Sequence, residues 1–252
     1  MITCYFTASG NCLYVSRRIG GTLLSIPQLM RQEKIELADD AVGIVCPVYA
    51  VEMPMMVREF LARARITTRY FFFVYTYGMG YAQAFVHAKF AAQKAGLELS
   101  YINAIQMVDN YLPVFEMQDQ IDTLPQKNVE GQIERVCRDI IERRTVSVPV
   151  TQEALAELEM YRQRLAVPIL RKDTAQAYIV NDRCIRCGVC AKVCPGDNIT
   201  VSDAVSFSDH CEVCYACLHN CPQNAIHMKE ERSSVRFRNE HVSLKDIIQA
   251  NG

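Results

Sequence analysis

Two copies of one cysteine pattern near the carboxyl end constrain this chain more than any other feature. Each copy reads Cys-x-x-Cys-x-x-Cys-x-x-x-Cys-Pro. Two residues between sulfurs let three thiolates converge on one inorganic core, whereas the longer gap and the proline direct the fourth thiolate away from it. The cysteines concerned are Cys184, Cys187, Cys190 and Cys194 in the first repeat and Cys211, Cys214, Cys217 and Cys221 in the second repeat.

The spacing predicts two [4Fe-4S] clusters, with the fourth cysteine of each repeat serving the other cluster. Cys221 would then join the first three cysteines of the first repeat, and Cys194 those of the second. Zinc usually uses two cysteine or histidine pairs a dozen or more residues apart and needs no third closely spaced sulfur. Disulfide frameworks are typical of small secreted chains, whereas this chain is long and we expect no signal segment at its start. Iron–sulfur clusters are therefore the favoured interpretation.

The segment from Gln176 to Glu231 resembles the bacterial two-cluster ferredoxins, through these cysteines and through Pro195 and Pro222. The resemblance implies a small α+β domain. This segment contains seven acidic and four basic residues. Each oxidised cluster with its thiolates would add a formal charge of about −2. We therefore expect redox partner proteins with a basic docking surface, a merely solvated acidic face being the alternative.

Composition limits the other classes of partner. The net charge of −1 argues against nucleic acid and anionic membranes as partners, because both require a basic excess. We expect no membrane insertion, since no apolar run approaches the 18 or so residues that span a bilayer. Unpaired thiols and oxygen-sensitive clusters favour a reducing compartment, so a cytoplasmic protein is expected, and the clusters favour an anaerobic source.

The amino terminus has the form of an anion site. A short run of β-formers, Met1 to Thr7, predicts a buried strand, and residues 13–19 predict a helix that ends at Gly20. The polar loop between them can hold a phosphate through hydroxyls, free amides and the helix dipole. Ordinary capping by Ser, Asn and Gly is an equally good interpretation of the loop alone.

Strands alternate with helices along the first two thirds of the chain. Apolar runs at 41–48, 69–77 and 97–107 are separated by helical stretches at 55–65 and 81–94, and a further strand is expected near 22–25. This alternation predicts an α/β fold with a doubly wound parallel sheet, in which ligands bind beyond the carboxyl ends of the strands.

The region from Met1 to Arg144 resembles flavodoxins, because its first loop matches their phosphate loop, Thr-x-Ser/Thr-Gly-Asn-Ser/Thr, except at Cys12. The resemblance implies FMN held by three loops. Tyr49, Tyr77 and Tyr81 are candidate ring-stacking residues, with ordinary loop tyrosines as the alternative. The FMN-binding residues that the resemblance implies are Thr7, Ser9, Gly10, Asn11 and Cys12, then Pro47, Val48 and Tyr49, then Thr76, Tyr77, Gly78 and Gly80.

Three features depart from flavodoxins or leave alternatives open. The chain has no tryptophan to stack on a flavin, and residues 108–120 form an apparent insertion. Three roles stay open for Asn110 and Tyr111: contact with the cofactor, contact with the ferredoxin region, or packing within the loop. Packing within the loop is the preferred interpretation. Cys12 lies at a helix N-terminus, where thiol acidity rises; a packing role in the loop is preferred over a reactive thiol.

The remaining patterns complete the division of the chain. Residues 121–144 predict one closing helix, residues 151–165 a second helix with Thr151 as N-cap, and Ser243 a capping box for a terminal helix. We expect a flavodoxin-like domain at 1–145, a linker with a helix at 146–175, a two-cluster ferredoxin domain at 176–231 and a tail at 232–252.

The whole chain is similar to the flavodoxin–ferredoxin fusion proteins of anaerobic bacteria. That similarity implies an electron-transfer protein carrying electrons between two [4Fe-4S] clusters, FMN and redox partners. No Ser-His-Asp, paired-carboxylate or histidine–metal pattern is evident, so we predict no catalytic residues. Two alternatives stay open: a ferredoxin-dependent flavin oxidoreductase that reduces a small acceptor, and a redox sensor or assembly factor whose flavodoxin-like part holds no flavin.

Overall fold

A computed structural model describes residues 1–81, 83–161, 163 and 174–252 of the chain. Its strands are β1 (Ile2–Tyr5), β2 (Thr22–Ser25), β3 (Glu36–Ala38), β4 (Ala41–Pro47), β5 (Arg65–Thr67), β6 (Tyr70–Tyr77), β7 (Leu99–Gln106), β8 (Tyr178–Val180), β9 (Ile199–Val201), β10 (Val205–Phe207) and β11 (Ile226–Met228). Its α-helices are α1 (Asn11–Ile19), α2 (Ile26–Met30), α3 (Met55–Arg63), α4 (Ala84–Lys94), α5 (Met117–Asp122), α6 (Val129–Ile141), α7 (Gln152–Tyr161), α8 (Val189–Lys192), α9 (Ala216–His219) and α10 (Leu244–Asn251).

A five-stranded parallel sheet forms the centre of the amino-terminal part. The strand order is β2-β1-β4-β6-β7, and every neighbouring pair is parallel. Counted along the chain this is the order 2-1-3-4-5 of flavodoxin-like folds. Strands β4 and β6 are buried along almost their whole length, as expected for apolar runs covered by helices on both faces. The predicted flavodoxin-like fold is confirmed, and β2 lies where a strand was expected.

The predicted single closing helix over residues 121–144 is wrong. Helix α5 begins earlier, at Met117, and a 3-10 turn at Leu124–Lys127 follows it. Pro125 has no N–H to donate inside an α-helix, and Asn128 adopts a left-handed conformation with φ 46°. The chain therefore starts a new helix, α6, at Val129.

The two predicted helix caps are present. The Thr151 hydroxyl accepts a hydrogen bond from the Ala154 N–H at 3.2 Å, just before α7. Ser243 and Asp246 form a reciprocal capping box at the start of α10. The predicted end of the first of these helices, at Leu165, lies outside the described residues.

The carboxyl-terminal part is a small, strand-rich α+β region, as predicted. Strands β8 and β11 pair antiparallel, and so do β9 and β10. The one-turn helices α8 and α9 carry Cys190 and Cys217, the third cysteine of each repeat. Among the described residues, no helix is long and apolar enough to cross a membrane.

The two parts share their hydrophobic cores. Cys214 and Val242 belong to the core of the parallel sheet, whereas Leu112 and Met117 pack into a second core with Leu218 and other residues of the cluster-bearing part. The predicted insertion at 108–120 thus lies between the parts. The division into domains at 145, 175 and 231 stays a prediction.

Candidate cofactor sites

A cavity of about 530 Å³ opens at the carboxyl end of the sheet. It is within the usual size range of ligand pockets. Residues of all three predicted loops line it, because parallel strands β1, β4 and β6 deliver their following loops to one edge. The predicted residues in its wall are Thr7, Ser9, Asn11, Cys12, Pro47, Val48, Tyr49, Thr76, Tyr77, Gly78 and Gly80.

The first loop offers free hydrogen-bonding groups to this cavity. The Thr7 hydroxyl is buried and has no partner within the described residues. Helix α1 begins directly after the loop, and no side chain caps its N-terminus. A buried hydroxyl without a partner is costly, and a helix N-terminus favours an anion. These groups fit the phosphate of an FMN.

The role of Gly10 in binding FMN stays a prediction, and its surroundings show a further reason for a glycine. Gly10 does not line the cavity, and a Cβ there would lie 3.0 Å from the Cβ atoms of Asn239 and Val242. Its φ of 101° also favours glycine. The residue is thus required by the close approach of the carboxyl-terminal tail.

Cys12 packs in the cavity wall. Its sulfur lies 3.1 Å from the Thr76 hydroxyl oxygen. Burial raises the pKa of the Cys12 thiol to about 12, so the thiol stays protonated at neutral pH. This supports the packing role over a reactive thiol.

The tyrosine candidates separate into two groups. Tyr49 and Tyr77 line the cavity, and the Tyr49 hydroxyl is buried without a partner in the described parts of the chain. Tyr81 is absent from the described cavity wall and instead stacks on Phe85, with ring centroids 4.8 Å apart. The wall is mainly apolar and aromatic, as an isoalloxazine ring requires.

Asp109 contributes a carboxylate to the cavity that sequence reasoning missed. It accepts hydrogen bonds from the N–H groups of Met79 and Tyr111, at 3.3 and 3.1 Å. Burial raises its pKa. A Cβ on Gly78 would lie 2.1 Å from the Asp109 Cβ, so this glycine permits close contact between two cavity loops.

The apparent insertion both reaches the cavity and contacts the cluster-bearing part, so it is more than a plain packing loop. Asn110 donates a hydrogen bond to the Ser9 hydroxyl at 3.2 Å, and its carbonyl lies 3.0 Å from the His219 imidazole. Tyr111 lines the cavity, with its ring centroid 5.8 Å from that of Tyr215.

Val213 and Tyr215 of the second repeat also line the cavity. Sequence reasoning missed them because their position depends on how two distant parts of the chain dock. The available signal was that Tyr215 replaces the glycine found at the matching position of the first repeat, Gly188.

The assignment of the eight repeat cysteines to two crossed groups stays a prediction. The thiols that act electrostatically on Cys190 are Cys221, Cys184 and Cys187. Those that act on Cys214 are Cys194 and Cys211. Both sets are compatible with the predicted crossover, and Cys190 of the first repeat also acts on Cys217 of the second.

Backbone N–H groups donate to the sulfurs of three of these cysteines, Cys194, Cys211 and Cys221, each at 3.3 Å. Such bonds stabilise anionic cluster sulfurs.

Comparisons with known proteins match both parts of the chain. The model of a 4Fe-4S binding domain matches residues 177–200, so the chain carries a site for at least one cluster. A flavodoxin from the domain Archaea has 11% identity, with 53% of this chain and 97% of that chain covered and a TM-score of 0.30. Rubredoxin oxygen:oxidoreductase from the anaerobe Desulfovibrio gigas has 9% identity, with 54% and 35% covered and the same TM-score. At such scores these likenesses carry no further conclusion. No curated protein matches the chain.

Proposed function

We propose that the chain is an electron-transfer protein that holds two [4Fe-4S] clusters and one FMN and exchanges electrons with partner redox proteins. One observation carries the proposal: Val213 and Tyr215, which flank Cys214, line the same cavity as the predicted flavin loops. The cluster of the second repeat and the flavin would therefore be separated only by these side chains. FMN, when bound, exchanges electrons singly or in pairs, whereas each cluster transfers one at a time.

The two repeats would hold different positions in the electron-transfer route, the first near the partner protein and the second near the flavin. Cys187 is exposed, and Ile185, two residues before it, is 62% exposed. A partner protein would approach the first repeat, because electron transfer requires close contact with a cluster near the surface. The second repeat would pass electrons on to the flavin cavity, where Tyr49, Tyr77 and Tyr215 exclude water from the ring.

Site residues would hold the cofactors as follows. Cys184, Cys187, Cys190 and Cys221 would bind one cluster, and Cys211, Cys214, Cys217 and Cys194 the other. The hydroxyl of Thr7 and the free N–H groups of its loop would bind the FMN phosphate. None of the cavity-lining residues described is a lysine or arginine, so amides and the dipole of α1 would supply the positive potential.

A small-molecule reductase is the second candidate. Met79 and Val114 line the cavity and are 77% and 44% exposed, so the cavity has an open apolar mouth. A small acceptor would reach the flavin there. Catalytic turnover of quinones or free flavins by the reduced protein would favour this function, and reduction of protein partners alone would favour the electron carrier.

Anaerobic purification followed by iron, sulfide and flavin analysis tests the proposal. We expect about eight iron, about eight sulfide and about one FMN per chain. An absorption spectrum should show flavin bands above the broad cluster absorption. Half of that iron would contradict the two-cluster assignment. Protein that takes up no FMN after reconstitution would instead support a sensor or assembly factor.

A further inference from the structure

Three consecutive carbonyls of the phosphate loop are held from the cluster-bearing side of the molecule. The Asn251 side chain donates to the Thr7 carbonyl at 3.1 Å, and the Asn220 side chain to the Ala8 carbonyl at 3.2 Å. The backbone N–H of Asn239 donates to the Ser9 carbonyl at 2.8 Å. We call Asn220, Asn239 and Asn251 the asparagine clamp. All three are buried, between 0 and 7% exposed.

The clamp determines where the loop amides point. In a trans peptide the C=O of one residue and the N–H of the next point in opposite directions, and the described chain has no cis peptide. The N–H groups of Ala8, Ser9 and Gly10 therefore point away from the clamp. None has an acceptor among the described residues. They are left as free donors beside the unpartnered Thr7 hydroxyl.

The clamp also begins close to the cluster cysteines. Asn220 directly precedes Cys221. Asn251 donates a second hydrogen bond, at 3.0 Å, to the carbonyl of Val193, which precedes Cys194. These are the two cysteines that cross between the repeats. The geometry of the phosphate loop is thus tied to the two residues on which both clusters depend.

We propose that Asn220 and Asn251, with the Asn239 backbone, are positioning residues for the FMN phosphate. They hold the loop carbonyls outward so that the loop N–H groups face the phosphate. The inference rests on the proposed flavin site and adds that phosphate recognition is completed by the second repeat, through Asn220, and by the tail, through Asn239 and Asn251.

Titration of the cluster-loaded full chain with FMN and with riboflavin, which lacks the phosphate, tests the clamp. The parent should prefer FMN by roughly tenfold or more, the worth of a charge-assisted hydrogen bond. Asn220→Ala and Asn251→Ala should each weaken FMN binding roughly 2- to 12-fold. Riboflavin affinity and iron content should stay at parent values, because the ring contacts and cysteines are unchanged.

Gln28→Ala is the matched control. The Gln28 side chain donates to the Gln249 carbonyl of α10, so the variant removes a contact to the same helix without touching the phosphate loop. Its preference for FMN should equal that of the parent.

Two results would overturn the clamp while leaving the flavin site standing. One is an unchanged preference for FMN in both asparagine variants. The other is a parallel loss of riboflavin binding and iron, which would give the asparagines a general structural role. If the parent chain showed no preference for FMN over riboflavin, both the proposed flavin phosphate site and the clamp would be contradicted.

Discussion

The two cysteine repeats share one spacing and one backbone course, yet their surroundings differ. Residues two places after the first cysteine have positive φ in both, 54° at Arg186 and 51° at Val213. The same holds two residues later, with 75° at Gly188 and 59° at Tyr215. Glycine adopts this conformation freely, whereas a tyrosine in it is strained by about 1–2 kcal/mol.

The side chains explain why the second repeat keeps that strain. A Cβ on Gly188 would have no neighbour within 4 Å among the described residues, and Cys187 is exposed. In the second repeat Cys214 and Tyr215 are 7% and 4% exposed. Backbone strain points to a functional role when the strained residue contacts a binding site. Tyr215 lines the cavity. The comparison indicates that the first repeat exposes Cys187, whereas Tyr215 of the second repeat lies against the cavity.

The largest expected effect tests which cysteines belong together. Cys194→Ser should remove or damage the cluster of the second repeat, although Cys194 lies in the first, because the fourth cysteine crosses over. Iron should fall by about half. Mössbauer and EPR spectra of Cys194→Ser should match those of Cys211→Ser and differ from those of Cys187→Ser.

The spectra decide between the two assignments because Cys211→Ser and Cys187→Ser each show what the loss of one particular cluster looks like. Spectra of Cys194→Ser that match Cys187→Ser would show that each repeat binds its own cluster. We expect the crossover instead, because the Cys194 thiol acts electrostatically on Cys214 and Cys217, although Cys190 also acts on Cys217.

A smaller effect tests the contact between the second repeat and the flavin. Tyr215→Leu should weaken FMN and riboflavin binding alike, by roughly 2- to 13-fold, because aromatic stacking contributes about 0.5–1.5 kcal/mol. The preference for FMN over riboflavin should not change, in contrast to the asparagine variants. Fluorescence titration of both ligands measures this.

Gly188→Ala is the matched variant in the first repeat. It introduces a side chain at the corresponding left-handed position, where space is open, and we expect parent affinity for both flavins. If Tyr215→Leu also kept the parent affinity, Tyr215 would not contact the ring. The difference between the two repeats would then have no effect on flavin binding.

Local patterns in the sequence predicted the parts of the molecule that depend on short stretches of chain. The cysteine spacing, the strand–loop–helix pattern around Thr7 and the capping box at Ser243 are all local, and the sheet order follows from the alternation of strands and helices. The broken helix after Met117 was also foreseeable, because Pro125 lies inside it.

The junction of the two parts could not be predicted in this way. Asn220 and Ala8 are 212 residues apart in the chain. No local sequence pattern predicts which distant residue an asparagine contacts. Val213 and Tyr215 reach the cavity only because the second repeat docks on the sheet. The tail's approach to Gly10 is hidden for the same reason: the sequence shows that a glycine is needed there, but only the fold shows Asn239 and Val242 beside it.

The smallest effect tests this junction through two glycines of positive φ. Gly10 and Gly96 have φ values of 101° and 73°, so alanine is strained at either position by about 1–2 kcal/mol. Only at Gly10 would the new Cβ press on Asn239 and Val242, at 3.0 Å. Overpacking of this kind costs about 1–3 kcal/mol. We therefore expect Gly10→Ala to lower the apparent Tm of the cluster-loaded protein more than Gly96→Ala does, by about 2–12 °C. Equal melting temperatures in the two variants would show that the approach of the tail does not require a glycine at position 10.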